Sequence, residues 1–371
     1  MSESRRPLRL LITSVGSLVG QNLLEGLAGR RALCDIVGLN SQPDAVSNFL
    51  CDRVYRVSEL GDAEAFEARF GALMAQEAPD LVLPGRDDDV VFLAAWGARH
   101  ADLAARLMVG SERSARRLRD KRLTADLAAA HGLPFAPTLS LEDGWPAVRA
   151  LQAAWGWPLV AKPRLGNASR GVMLVCDEQQ LETVLGWPDY CVQPWLGEPV
   201  DVAAFRRLLQ GGVPLDWSLP GIEKLSLDGC VLPSGELAAL FATQHAQVRL
   251  GRSEQVRRLP LDAPLLGLLQ AFGQALAREG WRGPFNVQMG RLPDGRLLAF
   301  EINGRFTGSA ATLALLGLDY IGVCVAAFVS RPEFELPSPA AVSRVDKRLT
   351  NWPLPEQAVQ TLAQQGRWPA P

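Results

Sequence analysis

The first 110 residues alternate short apolar runs with helical stretches, and this alternation limits the possible folds more than any other feature. Residues 8–15, 35–39 and 81–84 are apolar runs of strand length. Residues 64–76 have helical spacing between the second and third of these runs. Strands that alternate with helices form parallel sheets with right-handed crossovers. We therefore predict an open α/β domain over residues 1–110.

The turn after the first strand has the sequence Gly16-Ser17-Leu18-Val19-Gly20. It lacks the full G-x-G-x-x-G dinucleotide fingerprint, and no acidic residue follows the second strand as a convincing ribose ligand. A turn into a helix N-terminus can bind an anion, and a tight turn that needs small residues is the alternative. A nicotinamide dehydrogenase is therefore poorly supported.

Composition excludes several classes of protein. With 48% hydrophobic and 21% charged residues, the chain can bury large cores, so disorder is not its main state. The formal net charge of −2 gives no electrostatic basis for binding nucleic acid. The six cysteines never form a C-x-x-C pair, so we expect buried thiols in a reducing compartment rather than a zinc site.

No segment of the sequence predicts a membrane anchor or a secretory signal. Residues 1–6 are polar, unlike the start of a signal peptide. The longest apolar stretch, residues 313–329, is interrupted by Asp319 and two glycines, which favours a buried helix over a membrane span. The sequence thus predicts a cytoplasmic protein with neither a membrane nor a nucleic-acid partner.

The rest of the chain also alternates helices and strands. Residues 111–130 have a helical pattern that Gly132 and Pro134 end. Strands are predicted at residues 159–162 and 172–176, paired around a loop, and at residues 190–193. A helix over residues 265–276 precedes two strands, 285–289 and 297–302, which flank the hairpin turn Pro293-Asp294-Gly295. The Pro-rich tail after Arg331 is expected to wrap the surface.

The strongest local signal for chemistry is residues 161–172, AKPRLGNASRGV. Lys162 ends a strand and precedes a loop that contains Gly166, Ser169 and Gly171. Such a loop can bring backbone N–H groups close to phosphate oxygens while the lysine neutralises their charge. The chain has no G-K-[ST] sequence, so this is not a P-loop, and a plain hairpin turn is the alternative.

A second signal is residues 299–309, AFEINGRFTGS. Glu301 and Asn303 are two residues apart, so on a strand they lie on the same face, and the hairpin brings Gln288 alongside them. Such oxygen ligands suit Mg²⁺, which also retains waters and phosphates. Arg305 is placed to bind a phosphate through two hydrogen bonds. The alternative is a polar strand face with a Glu–Arg ion pair.

Together, these segments occur in one order that resembles the ATP-grasp superfamily, and within it the branch similar to carbamoyl phosphate synthetase large subunits and D-alanine–D-alanine ligase. The most specific element is E-I-N-x-R-F-x-G, here with Gly304 where relatives often have Pro. The resemblance covers about residues 8–330. It implies a pre-ATP-grasp domain (1–110), a small ATP-grasp lobe (111–190), a large lobe (191–330) and an extension (331–371).

The resemblance also implies which residues bind the nucleotide. These are Lys121, Lys162, Ser169, Gly171, Gln193, Trp195, Leu196 and Glu198. The Gln193 side chain and the backbone of Trp195 and Leu196 would contact the adenine edge. Relatives often have G-x-E after this hinge, whereas this chain has Gly197-Glu198-Pro199, so either Glu198 or Asp201 would bind the ribose.

Metal ligands and catalytic residues follow from the same resemblance. Gln288, Glu301 and Asn303 would bind Mg²⁺, or Mn²⁺, and Arg305 and Lys224 would be catalytic. The chain has four lysines among its 38 basic residues, and three of them match site positions. The fourth, Lys347, is expected on the surface.

The implied reaction is an ATP-dependent ligation of a carboxylate to an amine, with both substrates small and amino-acid-like. The carboxylate becomes an acyl phosphate, and amide formation releases ADP and phosphate. Two alternative functions stay open. The chain could be a nucleotide-binding regulatory module without catalysis, or a synthetase subunit that phosphorylates a carboxylate or bicarbonate. A homodimeric assembly is also open. The charged segments 86–90 and 251–258 would either contact substrate or form exposed loops.

Overall fold

The computed structural model of the chain describes residues 6–166, 169–210, 223–249, 252–337, 342–348 and 350–369. Its strands are β1 (Leu8–Ile12), β2 (Cys34–Asn40), β3 (Arg53–Arg56), β4 (Leu81–Leu83), β5 (Leu139–Ser140), β6 (Leu159–Pro163), β7 (Met173–Val175), β8 (Tyr190–Pro194), β9 (Lys224–Val231), β10 (Leu237–Arg249), β11 (Arg252–Arg258), β12 (Gly283–Arg291), β13 (Leu297–Asn303), β14 (Arg344–Asp346) and β15 (Arg367–Trp368). Its α-helices are α1 (Leu18–Leu27), α2 (Ala63–Glu77), α3 (Asp87–Arg99), α4 (Glu112–Arg119), α5 (Lys121–Ala130), α6 (Trp145–Trp155), α7 (Glu178–Leu185), α8 (Val202–Gln210), α9 (Ala263–Arg278), α10 (Ala310–Leu315), α11 (Tyr320–Val329) and α12 (Glu356–Gln365).

The N-terminal sheet has the strand order β15-β3-β2-β1-β4, and its first four strands in the chain run parallel as predicted. Strand β3 was not predicted; it has four residues with an arginine at each end. In the turn after β1, a Cβ atom on Gly20 would lie 2.5 Å from the carbonyl oxygen of Val15, and Ser17 caps α1. Close packing thus accounts for the Gly-rich turn.

The second sheet is antiparallel, in the order β5-β8-β6-β7. The predicted pairing of strands around the Gly-rich loop is confirmed, because Leu159 of β6 pairs with Val175 of β7.

The single helix predicted over residues 111–130 was wrong. The chain breaks at Asp120, whose carboxylate accepts hydrogen bonds from the backbone N–H groups of Arg122 and Leu123 and so starts a new helix, α5.

The third and largest sheet has the order β13-β12-β9-β10-β11-β14 and contains the predicted β12–β13 hairpin. Helix α9 packs against one face through residues such as Phe272 and Leu276. Against part of the opposite face packs α11, where the Tyr320 hydroxyl donates to the Gly229 carbonyl at 2.8 Å. Residues 252–258, one of the two charged segments, form strand β11 rather than a loop, and Gly251 lies outside the described residues.

The apolar stretch 313–329 packs into the core as predicted, except for the exposed Leu315, and it consists of the end of α10, a turn at Gly317 and α11. Among the helices of the described residues, none is long and apolar enough to cross a membrane.

The C-terminal tail is more regular than its Pro content predicts. Strand β14 pairs with β11 at the edge of the large sheet, and β15 pairs with β3 at the edge of the N-terminal sheet. Leu362 on α12 is fully buried in the core that includes the N-terminal sheet. The tail therefore connects the two sheets instead of only covering the surface.

Candidate nucleotide and metal site

A narrow crevice brings residues of all three predicted parts together. Its lining comprises Asp87, Leu118, Arg119, Lys121, Thr124, Gly166, Glu301, Ile302 and Asn303. The lining includes residues predicted to contact the nucleotide and the metal, which are separated by up to 182 positions in the sequence (303 − 121).

Lys162 lies at the end of β6, on the side of the crevice formed by the small sheet. Its buried ammonium donates to Gln193 Oε1 at 2.5 Å and lies 4.7 Å from the centre of the Phe300 ring. Burial lowers the pKa of Lys162 to about 8, against the opposing attraction of Glu301. The lysine is therefore held in place before any phosphate arrives.

Lys121 is the first residue of α5, and its ammonium donates to the carbonyl oxygen of Gly166 at 2.9 Å. This contact joins the first predicted nucleotide lysine to the Gly-rich loop. Ser169 and Gly171 are exposed in that loop and have φ values of 57° and 71°, while residues 167–168 lie outside the described residues. The loop thus keeps the left-handed backbone that favours glycine at Gly171.

Gln193 is buried, and its side chain does not face an open edge as the adenine role requires. Its amide donates to Thr138 Oγ1 at 2.8 Å and to the Phe300 carbonyl at 3.2 Å, while its oxygen accepts from Lys162. In this structure Gln193 braces Lys162 against the large sheet. A contact between the Gln193 side chain and adenine stays a prediction. It requires Gln193 to give up its hydrogen bonds with Thr138, Phe300 or Lys162.

The hinge after β8 begins with Trp195, whose indole N–H donates to the Glu198 carbonyl at 2.8 Å, and Leu196, which is buried. Asp201 caps α8 by accepting from the Ala204 N–H at 2.9 Å. Glu198 is exposed. Because the Asp201 carboxylate already caps a helix, Glu198 is the better candidate of the two acids for binding the ribose.

The predicted metal ligands converge at the end of the β12–β13 hairpin. Gln288 pairs directly with Glu301, and Asn303 follows on the same strand face. The amide nitrogen of Asn303 is buried without a hydrogen-bond partner among the described residues. No group of three or more His, Cys, Asp and Glu side chains that could hold a metal occurs in the described part of the chain. One carboxylate with two amides fits Mg²⁺ when waters and phosphate oxygens complete its octahedral shell.

Arg305 is engaged with the N-terminal domain. Its guanidinium makes two contacts of 3.0 Å with the Asp87 carboxylate and donates to Asn303 Oδ1 at 3.0 Å. The interpretation of residues 86–90 as an exposed charged loop was wrong, because these residues begin α3 and their acids are paired. Asp88 pairs with Arg119, and Asp89 is buried while accepting from Thr13 and Ser14.

Removing the Asp87 carboxylate is expected to release Arg305 for phosphate. Asp87→Asn should lower the Kd for a Mg²⁺-bound ATP analogue about 3- to 10-fold, the effect of losing one competing ion pair. Isothermal titration measures this change. Asp88→Asn, which affects a neighbouring ion pair instead, is the matched control, and an unchanged or weaker affinity in Asp87→Asn would contradict the competition.

A buried polar cluster that was not predicted lies on the same face of the large sheet. Asn286 donates to Asp228 Oδ1 at 3.0 Å and to Ser226, which in turn donates to Asp228 Oδ2 at 3.3 Å. Burial raises the pKa of Asp228 to about 7. This cluster could have been predicted from the sequences KLSLD in β9 and FNVQM in β12. Polar residues at every second position indicate a strand with one polar face.

Lys224 lies on this polar face, opposite His245 of β10. Burial lowers the pKa of Lys224, with Glu301 opposing and Arg305 adding to the shift.

Lys347 is not on the open surface as predicted, because its ammonium donates to the Gly308 carbonyl at 2.9 Å and to Ser309 Oγ at 2.8 Å. The segment that follows Arg305 therefore contacts the fourth lysine as well.

Gly304 has a steric explanation. A Cβ atom there would lie 2.8 Å from the Trp281 ring and 2.9 Å from Leu118. The buried Trp281 ring thus occupies the space that a side chain at position 304 needs, which accounts for glycine where relatives often have proline.

No protein-family model and no curated protein matches this sequence. Solved structures do match it. N5-carboxyaminoimidazole synthetase from Staphylococcus aureus, complexed with ADP, has a TM-score of 0.66 and 12% identity over 91% of this chain and 80% of that chain. The biotin carboxylase domain of Hydrogenobacter thermophilus 2-oxoglutarate carboxylase, with MgADP, ADP and bicarbonate, has a TM-score of 0.64 and 11% identity over 87% and 70%. L-amino acid ligase from Bacillus licheniformis has a TM-score of 0.63 and 15% identity over 90% and 78%.

This chain has the ATP-grasp fold. Coverage of 91% of 371 residues requires that the N-terminal α/β domain is part of the match. The ATP-grasp fold predicted from residues 161–172 and 299–309 is therefore confirmed, together with its preceding domain.

Proposed function

We propose that this protein is an ATP-dependent carboxylate–amine ligase. The observation that carries the proposal is the crevice, where Lys121 on one side faces Glu301 and Asn303 on the other. Lys162 and Arg305 lie beside this crevice through their contacts with Phe300 and Asn303. Cations opposite a carboxylate and an amide suit a metal-bound polyphosphate.

The structural neighbours support the same class of reaction. One neighbour holds ADP, another holds MgADP and bicarbonate, and a third is an amino acid ligase. We infer that ATP occupies the crevice here, with Lys121 and Lys162 on its phosphates. We infer further that Gln288, Glu301 and Asn303 hold Mg²⁺, which when bound neutralises charge on the phosphates.

The chain's own residues then position the reacting groups. Arg305 exchanges Asp87 and Asn303 for the transferred phosphoryl group, which its planar guanidinium can hold through two hydrogen bonds. We place the carboxylate substrate beside Arg305 and Lys224, the cations that remain once Lys121 and Lys162 are assigned to the phosphates of ATP.

Bond making and breaking balance in two steps. A carboxylate oxygen attacks the terminal phosphorus of ATP, the bond to the bridging oxygen breaks, and ADP leaves. The amine nitrogen then attacks the acyl carbon, the bond to phosphate breaks, and the amide forms as the nitrogen loses a proton. Positioning and charge stabilisation supply the catalysis, and no covalent protein intermediate is required.

The nucleotide products test this mechanism. With ATP, Mg²⁺ and a pool of amino acids and carboxylic acids, chromatography should show ADP and phosphate, because cations and metal ligands surround the terminal phosphates. Hydroxylamine should trap the activated acid as a hydroxamate. AMP and pyrophosphate as main products would exclude the acyl phosphate route. Binding of ATP without any turnover would favour the alternative of a regulatory module.

A further inference from the structure

Lys347 reaches the site from the C-terminal tail. It follows β14, and its backbone N–H donates to the Glu254 carbonyl at 2.7 Å, which extends the pairing with β11. The ammonium donates to Gly308 and Ser309, three and four residues beyond Arg305. Lys347 is thus fixed beside the segment that carries the phosphoryl-binding arginine.

The ammonium of Lys347 has no carboxylate partner among the described residues. A lysine ammonium has three N–H donors, and the two neutral acceptors use two of them. Burial lowers the pKa of Lys347 to about 8, and only Glu25 opposes this shift by attraction. A partly buried cation with one free donor and no ion pair among the described residues is costly unless an anion binds it.

A second lysine, Lys224, adds positive potential on the large sheet. His245 faces Lys224 across the β9–β10 ladder, and its Nδ1 shares a hydrogen bond with Ser253. Burial together with the charges of Lys224 and Lys347 lowers the pKa of His245 to about 3. The charges of both lysines therefore keep the same imidazole neutral. Glu301 attracts Lys224, and Glu25 attracts Lys347.

An exposed apolar side chain lies beside the Gly308 carbonyl that this ammonium contacts. Leu18 is 44% exposed, and its Cδ2 lies 2.7 Å from where a Cβ atom on Gly308 would be. Leu315 and Val342 are each 48% exposed, and the Val342 N–H donates to the Leu315 carbonyl at 3.2 Å. Leu18 of α1 therefore gives the approach to Lys347 an apolar side, and Leu315 and Val342 are further exposed apolar residues on α10 and the tail.

We propose that Lys347 binds the carboxylate of the amine substrate, and that this substrate is an α-amino acid with an apolar side chain. The proposal rests on the proposed ligase function. The carboxylate that is phosphorylated must lie at Arg305, whereas Lys347 is held beyond Arg305 by Gly308 and Ser309. A second, separate carboxylate therefore binds Lys347, while Leu18, which lies beside Gly308, contacts the apolar side chain.

Binding of amino acids and their amides tests the proposal without requiring turnover. The protein is first loaded with Mg²⁺ and a non-hydrolysable ATP analogue. Leucine and phenylalanine are then titrated by calorimetry against leucinamide and phenylalaninamide, which keep the amine and side chain but lack the charge. We expect the wild type to bind at least one amino acid about 10-fold more tightly than its amide, the scale of a charged hydrogen bond.

Lys347→Met should abolish this preference, and Arg348→Met, which removes the adjacent exposed cation, should keep it. A purely structural role of Lys347 would weaken the amino acid and its amide equally, so the preference separates the two roles. Lys347→Arg should restore part of the preference. Absence of any preference in the wild type, no binding of either amino acid, or a preference that survives in Lys347→Met overturns the proposal. Failure to bind the ATP analogue itself would instead reject the ligase function.

Discussion

Replacing Lys162 with alanine is expected to lower ATP-dependent turnover by about 100-fold or more, which is the scale for losing a preorganised charge at a transition state. The ammonium is already positioned by Gln193 and lies over the Phe300 ring, so it needs little rearrangement to meet phosphate oxygens. ADP release by the purified variant under saturating ATP measures the change. Circular dichroism and thermal unfolding show whether the variant keeps its fold.

Arg149→Ala, which removes an exposed cation on α6, is the matched control and should retain wild-type turnover. The pH dependence gives a second readout. Because the pKa of Lys162 is lowered to about 8, its positive charge is present below pH 8 and is lost as the pH rises through that value. The kcat/KM for ATP should therefore fall about 10-fold per pH unit above 8, and Lys162→Ala should lack this fall. Wild-type turnover in a folded Lys162→Ala protein would remove this residue from the site.

Glu301→Gln should reduce turnover on the order of 100-fold and remove most of the benefit of Mg²⁺, because Glu301 is the only carboxylate of the proposed ligand set. The nucleotide base is expected at the hinge, away from Glu301, so binding of ATP without metal should change little. Isothermal titration of ATP with and without Mg²⁺ separates the two effects. The variant should show nearly the same affinity in both conditions.

Glu236→Gln on an exposed turn serves as the control for loss of one negative charge. If Glu301→Gln keeps the full enhancement of ATP affinity by Mg²⁺, then the metal assignment on the β12–β13 hairpin is wrong. Replacement of Mg²⁺ by Mn²⁺ in the same titrations tests the second metal that the sequence predicted.

Local patterns predicted much of the fold because they specify local structure. The hairpin of β12 and β13 follows from two apolar-alternating runs around Pro293-Asp294-Gly295, and its register places Gln288 opposite Glu301. The strands β6 and β7 were found for the same reason. By contrast, the break at Asp120 depends on one capping side chain, and β3 and β14 are too short to show a period.

Interactions of the site were harder to predict, since they join distant segments. The contact between Arg305 and Asp87 spans 218 positions, and neither local sequence indicates the other. Gln193 was expected at the adenine edge, but packing of the small sheet against β13 turned its amide toward Lys162 and Phe300. The polar residues Ser226, Asp228 and Asn286 could have been found from their alternation along β9 and β12.

The sequence by itself determined the alternation of strands and helices, the Gly-rich loop after Lys162 and the ligand pattern around Glu301, because periodicity and turn residues act over a few positions. Only the tertiary structure decided which charges meet. Lys347 contacts the segment after Arg305 because β14 pairs with β11, and Arg305 is held because α3 of the N-terminal domain reaches the large sheet. Charge pairing depends on which segments pack together in three dimensions, and the spacing of residues along the chain does not encode that packing.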